Sequence, residues 1–373
     1  MQTVDAAGLP IGDGHPPRIM GVLNVSAESP YDPSVFADAD AAAAYVESDL
    51  TGEGADIVDV GLETANKRFE VLSAEEELER LETAFAVRDR VDADVVWSIE
   101  TRYHEVAEAA LEGGFDVVND VCGFADPQLP AVCEAHDAAV VKMASPPDLK
   151  RPGALSSVED IYEALERGPL TEKTIVDPAF GGWSEDKTLA DDRETFHRLR
   201  EFRALDRPVL VSINRKNFLR DVAGRSTDAA LPVSLAATAM AVERGAHVLR
   251  THDVAETRDA ALVGDTFGPR RAAGDGVEEL DVRGPEELRR HLESVGGDRR
   301  RAVEGVSRAF RVRNLDADAL DAMAAAGSRA GALVEGGPRT AVVAGTDADL
   351  RAFCRAVETD VPRVADAVGD TLQ

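Results

Sequence analysis

Short apolar runs rich in Val and Ile, each ending in polar residues, recur along the first two thirds of the chain. They read RIMGVLNV from Arg18, ADIVDVG from Ala55, ADVVWSI from Ala93, FDVVND from Phe115, AAVVKM from Ala138, KTIVDP from Lys173, RPVLVSI from Arg207 and AHVLRTHD from Ala246. Near-continuous apolarity over so few residues marks strands buried on both faces, as in parallel sheets. Successive runs start about 20 to 40 residues apart, enough for one strand and one crossover helix. The intervening segments carry helix signals. Residues 38–52 begin with Asp and end at Gly, residues 73–91 open on Ser73 with Glu76 three places later, and residues 103–113 and 232–245 both stop at Gly. Eight strands alternating with helices allow a closed barrel or an open doubly wound sheet. The count of eight favours the barrel, and no G-x-G-x-x-G follows the first run.

After Gly268 the texture changes to a Pro-, Gly- and charge-rich stretch that reads as a linker. Beyond it, strands are expected at Ala309–Val312, Ala332–Glu335 and Thr340–Ala344, with helices over Pro285–Leu292, Ala317–Ala330 and Asp347–Val357. LVEGGPRTAVVAG reads as a hairpin turning at Gly336-Gly337. The predicted fold class is α/β, a (β/α)8 TIM barrel over residues 1–270 followed by a small C-terminal α+β domain over 276–373. No catalytic constellation is visible in the second domain.

Composition changes this picture at one point. The 373 residues carry 70 Asp plus Glu against 41 Lys plus Arg, a net charge of −29, and only six of the basic residues are Lys. Dense carboxylates with scarce Lys suggest a salt-adapted cytoplasm, where they keep the surface hydrated. The same charge argues against nucleic acid and anionic membrane as partners. Three cysteines, Cys122, Cys133 and Cys354, match no zinc spacing and suggest reduced thiols. There is no long apolar span and no signal-peptide pattern, so the expected location is cytoplasmic.

In such a barrel the active site lies at the C-terminal ends of the strands. Those ends present Asn24; Asp59 and then Glu63; Glu100-Thr101; Asn119-Asp120; Asp177-Pro178; Asn214-Arg215-Lys216; and Arg250-Thr251-His252-Asp253. Only the fifth, near Lys142-Met143, says little. Asn or Asp after a strand is commonly a turn or cap residue. So many polar ends aimed at one point instead imply a polar ligand or a self-satisfied network. Carboxylates and amides suit a heterocycle bearing amino and ring N–H groups. Arg250, His252 and Lys216 form a candidate anion site, and Arg215-Lys216 precedes a predicted helix over Asn217–Val222 whose free N–H groups would favour phosphate.

These segments resemble the dihydropteroate synthases and the wider pterin-binding group over Arg18 to Thr257. The matching motifs, in order, are IMGVLNVS, GADIVDVGLET, SIET, VVNDVCG, VDP, NRKNFL and RTHDV. The resemblance implies that Asp59, Glu100, Asn119 and Asp177 bind the substrate, the last three holding a pterin ring, and that Lys216 reaches it from the seventh loop. It also implies that Asn24, Arg250 and His252 hold a diphosphate, with Asn24 on its Mg²⁺. The implied catalytic residues are Lys216, Arg250 and His252. The implied reaction joins a pterin-methyl diphosphate to an aryl amine such as p-aminobenzoate: diphosphate leaves, then the amine attacks the cationic methylene. With the composition, the resemblance points to a salt-adapted archaeon, and by analogy to a homodimer.

The departures fall mainly in the loops. The third strand usually ends Ser-Ile-Asp-Thr, and here Glu100 adds one methylene. The Thr-Arg pair of the usual second loop is replaced by Ala65-Asn66, with Lys67 or Arg68 as stand-ins for the charge. The first loop is altered over Ser26–Asp32, and the sixth is longer, with Trp183 for the usual Phe and Lys187 for the usual Lys. The fifth strand lacks the usual His, having Ala144. Two other readings stay open. One is a methyltransferase passing a methyl group from a reduced pterin to a corrinoid protein; the other is a pterin-binding paralogue without catalysis.

Overall fold

The computed structural model describes residues 1–26, 34–36, 38–63, 71–150, 152–181, 187–269, 273–274, 277–337 and 339–372. Residues 27–32 of the altered first loop, Ala65, Asn66, Lys67 and Arg68 of the second, and Trp183 lie outside the described residues. The chain divides into two compact units, Met1–Glu278 and Glu279–Gln373.

The first unit is a barrel of eight parallel strands: β1 (Arg18–Asn24), β2 (Ile57–Gly61), β3 (Val96–Glu100), β4 (Val117–Asp120), β5 (Ala139–Met143), β6 (Thr174–Asp177), β7 (Leu210–Val211) and β8 (Val248–Thr251). Their order is β6-β5-β4-β3-β2-β1-β8-β7, and a parallel bridge between Val176 and Val209 joins the two ends. All eight apolar runs are strands, each followed by helix as the pattern requires. Ser73 caps its helix through the reciprocal bonds with Glu76 that the spacing announced.

Alternation along the strands divides the side chains into two sets. One set faces the helices. The other fills the barrel, with Met20, Ile57, Val96, Val117, Ala139, Val141, Ile175, Leu210 and Val248 all buried in one cluster. Val4, Ala6 and Ile11 belong to the same cluster. They come from an N-terminal hairpin, Val4–Ala6 against Leu9–Ile11, which closes the N-terminal end of the barrel. The apolar pattern gives little sign of it, because its strands are only three residues each.

The second unit is α+β. Its antiparallel sheet is β9 (Ser307–Arg313), β10 (Leu333–Gly337) and β11 (Thr340–Thr346), in the order β9-β11-β10. Phe310, Val312, Val334 and Val343 point to one face and pack with Met323, Leu350, Phe353 and Val357 from its helices. Gly336 and Gly337 do not form the turn the sequence suggests. They remain in the ladder opposite Ala341 and Thr340, and the reversal lies beyond them.

No helix among the described residues is long and apolar enough to cross a membrane.

Candidate active site

The barrel's inner layer predicts where the polar residues must go. Two residues beyond Ile57 stands Asp59, beyond Val96 Ser98 and then Glu100, beyond Val117 Asn119, beyond Ile175 Asp177, beyond Leu210 Ser212, and beyond Val248 Arg250. A period of two keeps each on the interior face, one layer nearer the C-terminal end. Six of the residues that line one cavity there are Glu100, Asn119, Asp177, Ser212, Lys216 and Arg250. Met143, Ala179 and Phe180 supply apolar wall.

Asp59 underlies this cavity and is fully buried. It accepts from Ser98 Oγ at 2.6 Å, from Asn119 Nδ2 at 3.0 Å and from Arg250 Nε at 2.7 Å. Arg250 also donates through Nη2 to Glu100 Oε2 at 2.7 Å. The floor is therefore one connected network, in which Asp59 orients Asn119 and Arg250. The extra methylene of Glu100 lies within this ion pair. Burial pushes the Glu100 carboxyl above its usual range, and Arg250 pulls it back.

Asp177 accepts from the Ala179 N–H at 2.8 Å, and burial raises its pKa to about 6 against that bond and the nearby Lys216. Lys216 enters from the seventh loop. Burial, with Arg250 beside it, holds its ammonium below the usual lysine range. The loop after β6 makes room for it. Gly181 has φ +102°, and a Cβ there would sit 3.0 Å from Lys216 Cδ and 3.2 Å from Nζ. Lys187 pins that loop by donating to Ala179 O at 2.6 Å and pairing with Asp192 at 3.1 Å. Gly181→Ala is expected to displace Lys216 and to lower turnover more than it lowers stability. Steady-state kinetics beside a thermal melt would check this, and an unchanged kcat would contradict it.

The anion residues separate. His252 is acted on by Arg250, Lys216 and Arg215, but burial and those cations lower its pKa to about 3. It stands there as a neutral imidazole. Arg215 turns away from the cavity. Its Nε and Nη2 fork onto Asp253 at 2.8 and 2.9 Å, and Nη1 donates to the carbonyls of Thr227 and Asp228. The predicted helix is present as Asn217–Ala223, with Lys216 as its N-cap residue.

Asn24 stands at the end of β1, opposite Gly61. Its amide nitrogen donates to Ser34 Oγ at 3.0 Å, and Oδ1 lies over Gly61, where a Cβ would approach to 2.8 Å. One neutral oxygen suits a cation that keeps its waters and takes its remaining ligands from a phosphate, the habit of Mg²⁺. His104, Glu105 and Asp126 also cluster, with His104 Nδ1 at 2.7 Å from Asp126. Asp126 takes the His104 backbone N–H as well, so this group caps the start of a helix.

Sequence reasoning missed Arg102. It is buried and pairs with Glu63, approaches Glu77 at 4.0 Å and donates to the carbonyls of Leu149 and Lys150. Its neighbours join in, Thr101 Oγ1 donating to Glu77 at 2.5 Å and Tyr103 Oη to Leu72 O at 2.7 Å. Three consecutive residues after β3 thus tie together the mouth of the barrel. The only sequence signal was an Arg directly after Glu100-Thr101.

A family model described as pterin binding enzyme matches residues 20–252. A probable bifunctional folylpolyglutamate synthase/dihydropteroate synthase of Halobacterium salinarum is 36% identical over 266 residues, covering 68% of this chain and 32% of that protein. The chain thus spans about a third of the length of that relative. Among solved structures, the dihydropteroate synthase of Xanthomonas albilineans with 4-aminobenzoic acid is 30% identical with a TM-score of 0.59, covering 71% of this chain and 97% of that one. The dihydropteroate synthase of Coxiella burnetii in complex with pteroic acid is 28% identical at the same TM-score, covering 71% and 98%. With the matched region running from the first barrel strand to the residue after the eighth, this chain belongs to the pterin binding enzyme family.

Proposed function

We propose that the barrel is a dihydropteroate synthase, joining 6-hydroxymethyl-dihydropterin diphosphate to p-aminobenzoate or a related aryl amine with release of diphosphate. The observation that carries this reading is the convergence of Glu100, Asn119, Asp177 and Lys216 on one cavity above the barrel core. Asp177 and Glu100 would accept from the amino and ring N–H groups of the pterin. Asn119, its Nδ2 held by Asp59, would present Oδ1 to the ring. Lys216 and Arg250 stabilise the departing diphosphate, and the two carboxylates stabilise the positive charge left on the pterin methylene. His252 donates as a neutral imidazole. Asn24 would hold Mg²⁺ bound to the diphosphate, and the ion would supply charge neutralisation there. The aryl amine is nucleophilic when neutral, so no strong base is needed. The acidic surface and free cysteines fit a cytoplasmic protein.

The test is to supply the pterin diphosphate, Mg²⁺ and p-aminobenzoate at high salt and follow both products. Diphosphate and dihydropteroate together support the synthase. Diphosphate alone points to another acceptor. Bound pterin without either product favours a pterin-binding chain without this catalysis. One observation favours that second reading: Arg215 is fully engaged by Asp253 and Arg250 is shared between Asp59 and Glu100, so fewer cations face an anion than the motifs promised.

The Asp177 carboxyl gives a pH signature. Pterin binding through it needs the ionised form, so affinity should fall as pH drops through about 6, towards roughly tenfold per unit. Asp177→Asn should flatten that step, and a step that persists in the variant would contradict the assignment. Stability responds the other way. A raised carboxyl pKa means the folded chain holds the proton more tightly, so this contribution is full below the ordinary value of 3.8 and is lost as pH rises through about 6.

A further inference from the structure

The floor network engages the cavity's guanidinium twice. Arg250 on β8 donates through Nε to Asp59 and through Nη2 to Glu100, each at 2.7 Å. Those two donors form one edge of the guanidinium, so two carboxylates saturate that edge. The strand order there is β3-β2-β1-β8, and Glu100 reaches Arg250 past two intervening strands. Its extra methylene makes the reach possible. A carboxyl one carbon–carbon bond shorter would stop about 1.5 Å short. The contact would open to roughly 4 Å, too long for a hydrogen bond. Arg250 and Glu100 both line the cavity, and their side chains stay 19% and 17% exposed, so a ligand can reach the pair. Around that cavity Asp59, Glu100 and Asp177 stand against Lys216 and Arg250, with one carboxylate more than there are cations. His252 is neutral, so a diphosphate arriving alone would meet surplus negative charge.

We propose that Glu100 couples the two halves of the pterin diphosphate, exchanging Arg250 for the pterin ring and so releasing Arg250 to the diphosphate. The inference rests on the dihydropteroate synthase reading for the identity of the ligand. A carboxylate that takes an amino group and the adjacent ring N–H uses both of its oxygens. Turning both to the ring draws Oε2 off Arg250 Nη2. Asp59 keeps the guanidinium in place through Nε, so Arg250 does not follow. The freed Nη2, with Nη1 beside it, presents the planar fork that suits a phosphate. The ring's donors meanwhile take up the charge of Glu100. Each half of the substrate thus improves the site for the other, by the same factor in both directions. A pterin carrying diphosphate is selected over either group alone.

Calorimetry on the full chain tests this with two separate probes. One is inorganic diphosphate with Mg²⁺. The other is 6-methyl-dihydropterin, which lacks the oxygen that would collide with the diphosphate. Diphosphate is expected to bind the parent about tenfold or more tightly with the pterin saturating than without it. Glu100→Asp loses the reach to Arg250, and Glu100→Gln keeps the reach but loses the charge. Both should bind diphosphate alone about tenfold more tightly than the parent does. In both, bound pterin should then change diphosphate affinity by less than about twofold. A merely structural role for Glu100 would leave that coupling as it is in the parent, and thermal melts show that each variant is folded. A parent whose diphosphate affinity ignores bound pterin overturns the inference and leaves the synthase reading standing. So does a diphosphate affinity that neither variant changes. A parent that binds no pterin overturns both.

Discussion

Lys216→Ala is expected to lower turnover by about 10²- to 10³-fold while leaving the melting temperature within a few degrees of the parent. Lys216 lines the cavity, and its ammonium is held in an enclosed site between Asp177 and Arg250. A cation in such a site acts on developing charge with little screening, so its loss is felt at the departing diphosphate. The ground state loses less, because Arg250 remains. The reduction should therefore appear mainly in kcat. Lys216→Arg is not a conservative control, since Gly181 leaves space shaped to a lysine stem and a guanidinium is wider. Turnover within threefold of the parent would remove Lys216 from the chemistry.

Asp59→Ala should carry the largest cost in stability, about 3 kcal/mol or more, and should also abolish tight pterin binding. Asp59 is fully buried and satisfies Ser98, Asn119 and Arg250 together. Removing it strands a hydroxyl and an amide and leaves Arg250 with Glu100 alone. The cost is that of unpaired buried donors and a half-compensated charge, and not of a lost contact only. Asp59→Asn keeps the shape and part of the bonding, so it should lie between. Chemical denaturation at high salt measures both. A loss below about 1 kcal/mol for Asp59→Ala would mean that water or rearrangement replaces the network.

The barrel was legible because a parallel strand buried on both faces writes itself as an uninterrupted apolar run. The position of the polar ring above the core was legible for a related reason. Asp59, Glu100, Asn119, Asp177 and Arg250 all stand an even number of residues beyond a barrel-filling side chain, so one periodicity predicts core and site together. What was not legible depends on direction or on distant partners. The motif could not show that Arg215 faces Asp253, 38 residues away, and not the cavity. It could not show that burial, with cations close by, keeps His252 neutral. Lys142 looked like an uninformative strand end. Its side chain points to the helix layer, where its ammonium is buried under the carbonyls of Leu165 and Arg167 and caps the end of a helix. Arg102 had no pattern to announce it, because its partners come from three separate segments.

The central claim is that a pterin ring occupies the cavity bounded by Glu100, Asn119, Asp177 and Lys216. Titration of the folded chain with 6-hydroxymethyl-dihydropterin, followed by calorimetry in the parent and in Asp177→Asn, tests it most directly. Saturable one-to-one binding that weakens about tenfold or more in the variant is the predicted result. Binding of equal strength in both chains, or none in the parent, would contradict it.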